Sequence, residues 1–171
     1  NLTDDDFEFI ELKNLNPQRI DLTDVRFTKG VTFNFSDPGV KITQLGAGEY
    51  VLVVKNLQAF EARYGAARSG RVAGTYTGKL SNGSEELELV DYLGNSIVDF
   101  VYGDSGPWPG RADGEGSTLE LIEPTAVPST QPQRTEYLED GAHWRSSSEW
   151  GGSPGYAGRG PAESVVVNEV L

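Results

Sequence analysis

Residues 50–55 read Tyr50-Val51-Leu52-Val53-Val54-Lys55, five largely apolar side chains in succession before the first charge. A strand with one wet face alternates, so an unbroken apolar run is how a strand covered on both faces reads, and this one is expected at the centre of a sheet. Upstream, Val31, Phe33 and Phe35 alternate with Thr32 and Asn34, and Phe7, Phe9, Ile10 and Leu12 are interleaved with Glu8, Glu11 and Lys13. Both patterns predict half-buried strands. Downstream, Asn56 is placed to cap a short helix over residues 57–64, with Leu57, Phe60 and Tyr64 at helical spacing and Gly65 as its stop. Residues 65–74 read as a loose connection. Strands are expected over 86–90 and 97–102 around the turn Asp91-Tyr92-Leu93-Gly94-Asn95, with Ile97 out of phase with Val98, Phe100 and Tyr102. Leu119, Leu121 and Ile122 mark another strand, and 124–132 a surface loop. Short strands at roughly 8–12 residue spacing point to an all-β sandwich with one short helix.

Composition narrows the function classes. Among 171 residues, 14 Lys and Arg stand against 26 Asp and Glu, a net charge of −12. Such a surface repels phosphate, which argues against nucleic acid as a partner. With no Cys, thiolate catalysis and zinc-thiolate sites are excluded, and the single His143 excludes His-paired metal sites. No apolar run approaches the ~20 residues of a membrane-spanning helix. The absence of Met reads as the mark of a piece cut from a longer protein.

Several pieces, in order, carry a resemblance. Phe9-Ile10-Glu11-Leu12-Lys13-Asn14, Gly48-Glu49-Tyr50-Val51-Leu52-Val53-Val54, Leu57-Gln58-Ala59-Phe60 and Gly78-Lys79-Leu80-Ser81-Asn82-Gly83 form its first part. Trp108-Pro109, the run Ala112-Asp113-Gly114-Glu115-Gly116-Ser117-Thr118-Leu119-Glu120-Leu121, Trp144 and Gly151-Gly152-Ser153-Pro154-Gly155 complete it. Together these resemble the lamin-tail domain. The resemblance implies an immunoglobulin-like β-sandwich and an accessory module of a large secreted or cell-surface protein, whose partner is another protein or a sibling domain of the same polypeptide. One departure stands out. The family opens with a strand of the type Val-Val-Ile-Asn-Glu-Val, which is missing here, while Val165-Val166-Val167-Asn168-Glu169-Val170-Leu171 stands at the other end. The expected organisation is a sandwich over 1–155 without its first strand, then a Gly-rich connector and strand over 156–171. That strand completes the sandwich in cis, completes a neighbour's by strand exchange, or begins a second copy. Phe9, Glu11, Val165, Val167, Asn168 and Glu169 are the candidate strand-addition interface.

Other chemistry was weighed against plainer roles. Gly103-Asp104-Ser105-Gly106-Pro107 is similar to a serine-protease nucleophile loop, but the lone His follows the Ser and makes no triad, so no enzyme activity is expected. Asp113, Glu115 and neighbouring acids offer oxygen ligands for Ca²⁺ without matching an EF-hand spacing. A carbohydrate- or Ca²⁺-dependent ligand loop over 103–116, using Trp108, Arg111, Asp113 and Glu115, is therefore the alternative function, and no other cofactor is expected. Trp108 and Trp144 read as a packed lid and Trp150 as exposed. Glu85, Glu86 and Glu88 read as a solvated strand edge, and Asp113 as holding its turn through its side chain. The leading expectation is a non-catalytic binding or assembly module, extracellular or on the cell surface, acting by strand addition.

Overall fold

Tyr50–Val54 is the middle strand of a three-stranded sheet, antiparallel to Phe9–Lys13 on one side and parallel to Val72–Thr75 on the other. Its side chains are buried on both faces, as the apolar run requires. Val51 and Val53 enter the main core, Leu52 and Val54 a second one, and none of the four exceeds 1% exposure. The computed structural model describes residues 2–160 and Glu169. Within them the strands are β1 (Phe9–Lys13), β2 (Ile20–Asp21), β3 (Arg26–Lys29), β4 (Val31–Asn34), β5 (Gln44–Leu45) and β6 (Tyr50–Val54). Helix α1 (Leu57–Tyr64) precedes β7 (Val72–Thr75), β8 (Thr77–Gly78), β9 (Glu85–Val90), β10 (Ser96–Tyr102) and β11 (Leu119–Leu121). Helix α2 (Gln133–Glu139) and β12 (Trp144–Ser146) follow.

The larger sheet runs β10-β9-β3-β4-β8, and two small ladders, β11-β12 and β2-β5, flank the main sheets. Phe27, Val31, Phe33, Leu87, Leu89 and Phe100 from the larger sheet share one buried cluster with Val51, Val53 and Ala73 from the smaller. The two sheets therefore pack across a common core. They approach closely at Gly74, where a Cβ atom would stand 2.9 Å from the Phe33 ring. On its outer face the smaller sheet carries α1, whose Phe60, with Leu57 and Tyr64, closes over Leu52, Val54 and Phe9. The Asn56 side chain accepts from the Gln58 and Ala59 amides, and Gly65 ends the helix at φ 83°.

The hairpin at 91–95 forms as expected, with the Asp91 carboxylate accepting from the Leu93 and Asn95 amides. The out-of-phase Ile97 is a register shift between Ser96 and Val98.

Three expectations are corrected. Among the described residues there are two α-helices and not one, because 133–139 coils into α2. Residues 72–74, read as the end of a loose connection, belong to β7, whose small side chains leave room for Phe33. Residues 26–29, unassigned in the sequence pattern, form β3 through pairing with β4 and β9. Glu85, Glu86 and Glu88 lie on an interior strand, not an edge. Glu86 and Glu88 face Lys29 across the sheet at 2.8 and 3.7 Å, and Glu85 accepts from the Ser81 amide and the Tyr102 hydroxyl. Burial and that carboxylate both push the Tyr102 phenol up. The expected strand over 165–171 lies outside the described residues, apart from Glu169, which is exposed.

Candidate functional site

β1 is anchored at one end by Asn14, 2% exposed, whose amide nitrogen donates to the carbonyls of Gln18, Leu45 and Gly46 at 2.8 to 3.0 Å. In an antiparallel pair, bonded and non-bonded residue pairs alternate. The bonds from Asn14 N to Glu49 O and from Lys55 N to Glu8 O fix the phase, so even-numbered residues of β1 bond to β6. The backbone N–H and C=O groups of Phe9, Glu11 and Lys13 therefore face away from the sheet. Among the described residues, no strand lies beyond β1 and no hydrogen bond uses those outward groups.

The other edges are finished differently. At β7, the Lys41 amide donates to Ala73 O at 2.9 Å. At β10, α2 lies alongside and its side chains serve the outward backbone: Arg134 donates to Ile97 O, Thr135 Oγ1 donates to Asp99 O at 2.7 Å, and Glu139 Oε1 accepts from Val101 N at 3.1 Å. Leu138, 5% exposed, holds the helix to the core. Sequence reasoning missed this cover, and its one signal was Pro132 ahead of a polar run, a helix-start position.

Beside the open edge sit two carboxylates. Glu11, on β1, accepts from the Gly155 amide at 2.5 Å, and Glu120, on β11, accepts from Ser153 Oγ at 3.0 Å and from Arg145 Nε at 3.3 Å. Burial pushes the Glu11 carboxyl up to about 7, and the Glu120 charge adds to the rise, while the Gly155 N–H and Lys13 oppose it. The chain then runs past Glu120 at Gly158 and reaches Gly160, whose carbonyl accepts from Ser148 Oγ at 2.6 Å.

The candidate ligand loop, 103–116, divides between packed and exposed residues. Trp108 is half-buried, its ring 6.0 Å from Trp144, which in turn stacks on Phe100 and donates to Leu138 O at 2.9 Å. These two tryptophans form a packed lid, as expected. Arg111, Asp113 and Glu115 are exposed. The turn is closed by backbone bonds, Ala112 N to Pro109 O and Asp113 N to Gly110 O, and not by the Asp113 side chain. Among the described residues no three His, Asp or Glu side chains gather where they would hold a metal ion. Trp150 is 77% exposed, with its ring seated over Gly116 of the same loop.

His143 is stacked on Tyr137 at 3.7 Å between centroids, with Nδ1 2.8 Å from Tyr137 O. Among the described residues no helix is long and apolar enough to cross a membrane.

No family model matches this chain, and no curated protein or solved structure matches it significantly.

Proposed function

We propose that the chain is a non-catalytic β-sandwich module of lamin-tail, immunoglobulin-like type, part of a larger secreted or surface protein, whose β1 edge accepts an extended strand. The observation that carries this reading is the outward backbone of Phe9, Glu11 and Lys13, unbonded among the described residues, in contrast to the β10 edge that α2 bonds. An edge in that state is a template for main-chain pairing. The ordered sequence pieces support the family reading, and the two sheets on one core with α1 directly after β6 support the sandwich. The candidate strand is Val165–Leu171, through Val165, Val167, Asn168 and Glu169. Its reach is supported by Gly160, which lies beside Arg145, the partner of Glu120 next to Glu11. Pairing is in cis or with a neighbour.

Light scattering across a concentration series, on the full chain and on one ending at Gly160, tests it. A monomer that loses stability on truncation supports completion in cis, and an oligomer that truncation dissolves supports exchange. A peptide of residues 163–171 should restore stability to the truncated chain. Truncation without effect on mass or stability, and no rescue by the peptide, would falsify strand addition.

A second reading is a carbohydrate-binding module at the 103–116 loop. Exposed Trp150 favours it, because an indole face held over a glycine is a flat surface for a sugar ring. A glycan panel that leaves Trp150 fluorescence and thermal stability unchanged removes this reading.

A further inference from the structure

The passage from Ser153 to Gly160 is held against the body of the protein largely by carboxylates. Glu11 takes the Gly155 amide, Glu120 takes the Ser153 hydroxyl, and Glu149 Oε1 takes the Arg159 amide at 3.3 Å. Gly158 lies so close to the Glu120 carboxylate that a Cβ there would stand 2.6 Å from Oε2. Ser153 and Pro154 are buried, Glu11 and Glu120 are half-buried beside them, and Glu11 feels the Glu120 charge.

We propose that Glu11 and Glu120 form a proton-operated latch that holds residues 153–160 over the β1 edge when Glu11 is protonated and releases them when it ionises. The chemistry is that of two carboxyl groups in one poorly solvated site: one charge is tolerated, because Arg145 neutralises Glu120, and a second is not. The surrounding cations compensate the second one only in part, through Lys13. Lys13, on the same strand, is exposed, Arg145 is committed to Glu120 at 3.3 Å, Arg71 to Glu49 at 3.3 Å, and Arg68 donates to Pro154 O at 3.1 Å. Neutral Glu11 still accepts the Gly155 N–H through its carbonyl oxygen. On ionisation its proton passes to solvent, and the cheapest relief is for the segment to lift and let water reach both carboxylates. The burial-driven rise of the Glu11 carboxyl to about 7 places the switch near neutral pH. The latch acts at the edge proposed to accept a strand, yet it is read in the free chain, so either idea can fail alone.

The test is amide hydrogen exchange followed by NMR between about pH 6 and about pH 8, alongside titration of the Glu11 side-chain carboxyl resonance. Protection of Gly155 should fall roughly tenfold further than intrinsic base catalysis accounts for, with its midpoint tracking the Glu11 titration. Glu11→Gln keeps the acceptor without the charge and should hold the segment closed throughout the range. Glu120→Gln should move the midpoint down. The same excess loss in Glu11→Gln as in the unmodified chain overturns the latch, as does protection that follows intrinsic exchange alone.

Discussion

β10 ends its sheet with three outward backbone groups bonded by side chains of α2, whereas β1 ends its sheet with Phe9, Glu11 and Lys13 unbonded among the described residues. Both strands pack side chains against the main core, and β1 also sends Phe9 into the second one. The difference lies in what the chain supplies next to each edge: a helix spaced to reach alternate carbonyls, or a Gly-rich segment that touches only a side chain. A protein that covers one edge so specifically has the means to suppress strand pairing. Among the described residues the β1 edge has no such cover.

The strongest way to break the contrast is to unseat the cover. Leu138→Ala should cost about 2–4 kcal/mol in urea unfolding, since it empties a buried site. By releasing α2 it should also make β10 behave like β1, with molar mass rising with concentration. A destabilised but strictly monomeric variant would mean that the cover serves packing alone.

Next in size is the pH dependence of the open side. The folded Glu11 carboxyl titrates at about 7, above its ordinary 4.5, so its contribution to stability is full below about 4.5 and is lost as pH rises through about 7. Denaturation at intervals across that range should show a loss on the order of 2 kcal/mol that is absent in Glu11→Gln. Equal losses in both chains would assign the effect to another group.

Thr135→Val removes one bond of the cover and leaves the Asp99 carbonyl without it, for about 1 kcal/mol by thermal or chemical denaturation. The smallest intramolecular effect is expected from Lys13→Pro, which deletes an outward N–H that β6 does not use and should cost no more than about 1 kcal/mol. Yet it should abolish capture of the 163–171 peptide by the truncated chain, measured by calorimetry. Undiminished capture would place the acceptor elsewhere.

Legibility in the sequence followed how local each cause is. β6, α1 and the 91–95 hairpin were readable because burial on two faces, a cap and a turn leave marks on neighbouring residues. β7 left none: Val72-Ala73-Gly74-Thr75 looks like a connector because Phe33, distant in sequence, occupies the space that larger side chains would need. α2 is polar because its residues serve the carbonyls of β10, a purpose invisible in helical periodicity. At the candidate site, Glu11 was legible as an edge residue, but its hydrogen bond from the Gly155 amide joins residues 144 positions apart. In the 103–116 loop Trp108 packs against Trp144, whereas the turn at Asp113 is closed by backbone bonds, which leave no mark on residue types.

The β6-α1-β7 unit has a kinetic consequence. Its parallel strands, its helix and the second core of Leu52, Val54, Phe60 and Val72 all lie within residues 50–75, so this piece closes short loops and is expected to organise early. β1 must instead find β6 across the intervening β2 to β5, which makes it a late arrival and an early departure. The strand expected to join the sheet last is thus the one at which strand addition is proposed, so an added strand would dock only after the rest of the molecule is in place.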